Sequence, residues 1–210
     1  MEIKWLLVGL CSVVPFWGCD ASGTEEDFRV MATNALENTP ILVSETFGMD
    51  LTNYIATVTN RESLIMAKMV LCERFLAKHY ETMEEQYLNA ALSVASNVCS
   101  LTVFETNTWY HCQARLLMVS CYSQSDNLAI AYKVASDTLS AIGTLDVSTD
   151  NPVSYALLKR NKVSDISIRN ALVLSKALSA AMLKKRTEAI NLGVYLPKKY
   201  QDMITRVLEN

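Results

Sequence analysis

The sequence predicts an all-α protein, either a helical-hairpin array or an irregular helical bundle, and three observations carry that prediction. From Met49 to Ile142 the chain contains neither glycine nor proline, so a long stretch lacks the residues that punctuate turns and strands. Apolar residues recur three and four apart through successive segments, the spacing of one face of a helix. Half of the 210 residues are hydrophobic and only 20% are charged, which suffices for a sizeable core.

Residues 5–17, WLLVGLCSVVPFW, are uncharged. As a helix they would reach about 20 Å, short of a bilayer core of about 30 Å. The run fits the apolar region of a secretory signal with Lys4 as a weak positive flank, so residues 1–18 are expected to be a signal peptide. Its end, Phe16-Trp17-Gly18-Cys19, resembles a bacterial lipobox. That resemblance implies cleavage before Cys19 and a diacylglyceryl group on its thiol, with residues 19–27 as lipid-attachment cysteine and tether. Two readings stay open beside it: cleavage after Ala21 to release a soluble secreted protein, and an uncleaved N-terminal core helix. The expected location is the cell envelope, exported and anchored to a membrane, otherwise periplasmic or secreted.

Residues 28–210 are then expected to form a single all-α domain. The β-branched stretch 39–60 reads as a loop plus a short helix. Leu64, Ala67, Leu71 and Phe75 make a helical stripe, as do Leu88, Ala91, Ala95 and Val98. ARLLMVSCY (114–122) makes another helix, and SQSDN (123–127) supplies turn and N-cap residues. Leu128, Ala131, Ala135, Leu139 and Ile142 follow, closed by Gly143 as a C-terminal cap. After a loop at 145–152, a helix is expected over 164–185, with Lys184, Lys185 and Arg186 at its negative dipole end. Thr187 to Leu192 adds a turn or two. Pro197 opens a final amphipathic helix whose Tyr200, Met203, Ile204 and Val207 share a face.

An internal repeat is visible. AKMVLCERF (67–75) aligns with ARLLMVSCY (114–122), and VASN (94–97) aligns with VASD (134–137). Two copies of one helical hairpin explain the match, and Arg169 to Tyr195 forms a third pair of similar architecture. Tyr122, Ala131 and the segment Thr187-Glu188-Ala189-Ile190 are similar to positions of tetratricopeptide-like repeats. The resemblance implies a curved stack of helix pairs with a peptide-binding concave face.

Charge is divided along the chain. Residues 20–152 carry seven Lys/Arg against seventeen Asp/Glu, a net of −10, and residues 153–210 carry eleven against four, a net of +7. The halves could attract each other, or the basic end could meet an anionic surface. The basic residues lack the aromatic interleaving of a nucleic-acid surface, so no nucleic-acid partner is expected. Beyond Cys19, the four cysteines Cys72, Cys99, Cys112 and Cys121 lie in apolar helical patterns and read as buried thiols, although an oxidising compartment would permit two disulfides.

No catalytic or metal motif stands out, so neither enzyme activity, metal nor cofactor is expected. There are two histidines, His79 and His111. His111 is next to Cys112, but neighbours on a helix point about 100° apart and do not face one another. Glu81, Glu84 and Glu85 suit the first turn of a helix better than a cation loop. The expected role is protein binding or scaffolding in the envelope, with Tyr87, Trp109, Tyr110 and Tyr132 as exposed partner-binding aromatics and homo-oligomers possible. Two alternatives stand beside it. One is a small-ligand binder or hydrolase with a pocket between helices, where His111, Glu105 and a Cys or Ser would meet. The other is a structural envelope protein that self-associates through its acidic and basic halves.

Overall fold

The computed structural model describes residues 24–103, 108–145, 147, 152–160 and 167–209. Their regular elements are all helices joined by short turns, without a strand among the described residues. The expected signal peptide, Cys19 and Glu105 lie outside the described residues, and so does the expected start at Ser164. The helices are α1 (Glu25–Glu37), α2 (Thr39–Val43), α3 (Glu45–Thr57), α4 (Arg61–Thr82), α5 (Glu85–Leu101), α6 (Trp109–Gln124), α7 (Leu128–Ile142), α8 (Pro152–Arg160), α9 (Ile168–Met182), α10 (Arg186–Gly193) and α11 (Lys198–Glu209).

Local chemistry sets most starts. Thr24 and Asp27 form a capping box on α1, the Thr24 Oγ1 accepting from the Asp27 amide and the Asp27 carboxylate from the Thr24 amide. The tether expected at 19–27 is therefore shortened, because its last residues are helix. Ser44, Asn60, Thr108 and Ser167 cap α3, α4, α6 and α9 through side-chain oxygens. The stretch read as a loop plus a short helix is two helices, α2 and α3, with Phe47 and Leu51 buried. Burial there outweighs the weak helix propensity of β-branched residues. α8 lies in a stretch for which no helix was expected.

The array runs α4, α5, α6, α7, α9, α10, each helix packed on the one before it. α1, α2 and α3 close one end against α4. α8 rests on α1 and α4, and α11 packs on α9 and α10. The hairpin turns share one geometry. Met83, Asp126 and Lys184 each take positive φ, at 59°, 56° and 61°, and in each case the next helix begins two residues later. In the last two turns the amides of Asn127 and Lys185 donate to Tyr122 O and Ala180 O, both at 2.9 Å, as in a Schellman motif. At these three turns the chain reverses direction through non-glycine residues in the left-handed region. Asn127 holds the N-cap position of α7 without a side-chain cap bond, unlike the expectation. Gly143 caps α7 at φ 58° as expected, a conformation that favours glycine.

The repeat is structural as well. Ala67 and Ala114 are both fully buried. The basic residue after each reaches from the first helix of its hairpin to the second, Lys68 to Asn97 Oδ1 and Arg115 Nε to Thr138 Oγ1. α4 and α6 are buried around most of their circumference, with Ile65, Met66, Met69 and Val70 in α4 and Leu116, Leu117 and Val119 in α6 all in the core. A single stripe such as Leu64–Phe75 understates this, because helices stack on both sides of α4. Met203, placed on the inner face of the last helix, is exposed, while Tyr200 and Ile204 are buried.

One core residue is poorly matched to its place. Gln113 in α6 is 0% exposed, and neither its Nε2 nor its Oε1 has a hydrogen-bond partner among the described residues. Burial of an unsatisfied amide costs about 1–3 kcal/mol. Gln113→Met, which keeps the shape and removes the polar atoms, is expected to raise the unfolding free energy by about 1–2 kcal/mol. Urea denaturation followed by circular dichroism checks this, and a loss of stability would show that the amide is satisfied.

Candidate functional site

Among the described residues an open groove of about 800 Å³ lies between α9 and α10. Val173 and Leu192, both half-buried, give it an apolar lining. Asn170 and Asn191 add side-chain amides, each able to donate and accept. Arg169 and Tyr195 also line it. Tyr195 stands 88% exposed, and Arg169 Nε donates to Gly143 O at 3.1 Å, which fixes the guanidinium across the end of α7.

Glu188, another lining residue, is held from outside the groove. The Tyr132 hydroxyl donates to Glu188 Oε1. Lys185 and Lys176 place their ammonium groups 4.2 Å and 5.2 Å from the centre of the Tyr132 ring, a cation–π arrangement. The bond to Glu188 raises the Tyr132 pKa, because a carboxylate acceptor favours the protonated phenol. This cluster joins α7, α9 and α10 beside the groove.

The four aromatics expected as exposed anchors are spread over the molecule. Trp109 is 5% exposed and packs edge-on against Tyr110 with ring centres 5.6 Å apart. The expectation of exposure is corrected for it, because it opens α6 on the side turned toward the core. Tyr110 is half-buried and donates to Glu62 of α4. Tyr87 is half-buried between Phe75, with ring centres 6.4 Å apart, and Lys78. Only Tyr132 among the four reaches a residue of the groove. Sequence reasoning located the hairpin Arg169–Tyr195 but missed Arg169, Asn170, Asn191 and Tyr195 as a lining. The available signal was the pair Ala189 and Gly193, small and buried on one face of α10, which turns Asn191 and Tyr195 outward.

The histidines serve the fold. His79 is buried, its Nδ1 3.0 Å from Glu84 O at the α4–α5 turn. His111 Nδ1 lies 3.0 Å from Thr102 Oγ1, joining α6 to the end of α5. Burial, and then the charge of Arg115, lower the His111 pKa. A histidine with a folded-state pKa below its unfolded value takes up a proton on unfolding. Its contribution to stability is therefore present above about pH 6.5 and lost as pH falls from there through the lowered pKa. His111→Gln is expected to flatten the stability profile between about pH 7 and 5, which denaturation at successive pH values measures.

All four described cysteines are free thiols. Cys72 Sγ donates to Ala91 O at 3.3 Å and Cys99 Sγ to Met118 Sδ at 3.4 Å. Burial pushes Cys99 and Cys112 up to about 11. The Cys72 thiol is raised first by its hydrogen bond with Cys121 and then by burial. A raised thiol pKa disfavours the reactive thiolate at Cys72, Cys99 and Cys112, whose sulfurs pack among apolar neighbours. Among the described residues no group of three His, Cys, Asp or Glu side chains could hold a metal ion. No described helix is long and apolar enough to cross a membrane.

Fold and groove define an all-α helical array protein that displays a shallow cleft near its C-terminal end. Set against protein-family models, curated proteins and solved structures, the chain matches none of them.

Proposed function

We propose that this chain is an exported, membrane-anchored helical module that binds a partner protein in the bacterial cell envelope, with the groove between α9 and α10 as its binding site. The groove carries the proposal. An open cleft with an apolar floor, two side-chain amides and a fixed guanidinium suits an extended peptide segment, whose backbone needs donors and acceptors in alternation. An enclosed cavity would suit a small ligand better. The groove lining contains neither cysteine nor histidine. The three hairpins with a common turn geometry support the tetratricopeptide-like reading of the array. Anchoring rests on the lipobox-like residues 16–19 and a lipid on Cys19.

Two measurements test these parts separately. A photo-crosslinking residue in place of Asn191, compared with one in place of Asn97 on α5, should capture one protein from position 191 in cells that make the chain. Arg169→Ala and Tyr195→Ala should each weaken that capture at least about tenfold, the effect of losing one good contact. Equal capture from both positions would sink the groove. Intact mass of the membrane-fraction protein, beside Cys19→Ala, tests the anchor. A lipid-sized increment on a chain starting at Cys19, absent in the variant, is expected, and an unmodified chain overturns it.

A further inference from the structure

The basic half of the chain divides into two parts in the fold. Lys159 and Arg160 of α8 pair with the acidic half, Lys159 Nζ at the surface with Glu37 Oε1 at 2.8 Å and Arg160 Nε with the buried Glu73 Oε2 at 3.5 Å. Lys184, Arg186 and Lys198 instead stay exposed at the far end of the array. Lys198 pairs with Asp202 one turn away on the same helix, at 3.0 Å. Arg186 NH1 donates to Leu208 O at 3.4 Å, so the first turn of α10 and the last of α11 lie together. Arg186, Ile190 and Val194 follow one another at four-residue spacing along α10 and its C-cap, which keeps helical dihedrals. That row is open to solvent, with Ile190 46% and Val194 59% exposed. An exposed branched apolar pair edged by cations suits an interface that is apolar below and anionic above.

We propose that the α10–α11 end is a peripheral docking face for a bilayer bearing anionic headgroups. Ile190 and Val194 enter the boundary between headgroups and acyl chains, while Lys184, Arg186 and Lys198 lie among the phosphates. The acidic half, which supplies α1 to α7, is repelled by the same surface, so charge favours the orientation that presents α10 and α11. Neither the groove's partner nor a lipid on Cys19 is needed for this, and Ile190 and Val194 are not among the groove residues.

The experiment uses the full purified chain with vesicles of phosphatidylglycerol and phosphatidylcholine at about 3:7, beside pure phosphatidylcholine. The neutral vesicles report any binding by the apolar leader, which all variants share. The proposal expects sedimentation with the anionic vesicles above that background, falling steeply as salt rises from about 0.05 to 0.5 M. A basic residue at an anionic surface contributes about fivefold in partitioning. Lys184→Asn/Arg186→Glu/Lys198→Glu should therefore lower the anionic excess at least about a hundredfold, with helicity by circular dichroism unchanged. Val194→Trp gives a second readout that needs no charge change, its added emission shifting to the blue with anionic vesicles and not with neutral ones. Equal binding to both vesicle types, an unaltered anionic excess in the triple variant, or an unmoved Val194→Trp emission overturns the proposal. So does salt-sensitive binding to a duplex oligonucleotide or to a second copy of the chain in the absence of any vesicle excess.

Discussion

Arg160→Met is expected to lower the unfolding free energy by about 3–5 kcal/mol, the cost of stranding a buried charge. Arg160 Nε lies 3.5 Å from Oε2 of Glu73, whose side chain is 4% exposed. Its NH1 also donates to Thr39 Oγ1 at 3.1 Å and to Leu36 O at 3.4 Å. One guanidinium thus ties α8 to α1, α2 and α4, and its loss removes a cation that offsets the desolvation of a buried carboxylate. Equilibrium denaturation of three proteins separates the charge from the packing. If the stranded carboxylate dominates, Glu73→Gln in the Arg160→Met background recovers more than half of the loss. A single-variant cost under about 1 kcal/mol would show that the pair behaves as a surface pair.

The second large effect comes from a residue that ordinary helix propensity would replace. Gly48 lies inside α3, where alanine normally stabilises by about 1 kcal/mol. A Cβ on Gly48 would come 2.4 Å from Arg74 NH2 and 2.7 Å from its Cζ. That guanidinium cannot easily yield. It is buried, donates to Leu42 O at 2.8 Å and lies 3.5 Å from Glu45 Oε2. Gly48→Ala is therefore expected to cost about 2–3 kcal/mol, as overpacking of a core does. In an Arg74→Met background the same change should be neutral or stabilising. A penalty that persists there would place the clash elsewhere.

Both effects lie where sequence reasoning reaches least. Gly48 reads as a helix-weakening residue in a β-branched stretch, and nothing near it in the chain announces Arg74. Arg160 and Glu73 sit 87 positions apart, so their pairing follows from how α8 lies on α4. The expected turns show the opposite case. Ser123–Asn127 was legible as a turn from composition, and Gly143 as a cap, because both depend on a few neighbouring residues. Met83 and Lys184 were not legible as turn residues, since neither favours positive φ and only the packing of the flanking helices holds them there.

What the sequence by itself determined is what local interactions decide: the all-α class, the turn between α6 and α7, the end of α7, the start of α11, the hairpin repeat and the split of charge. Each follows from periodicity, capping groups and composition within a few turns of chain. Tertiary structure decided which faces those helices use. It buried α4 and α6 around most of their circumference, put Trp109 in the core, paired Lys159 and Arg160 with the acidic half, and left Arg186, Ile190 and Val194 at an open end. The groove between α9 and α10 belongs to that second group, because a cleft exists only where two helices have come to rest side by side.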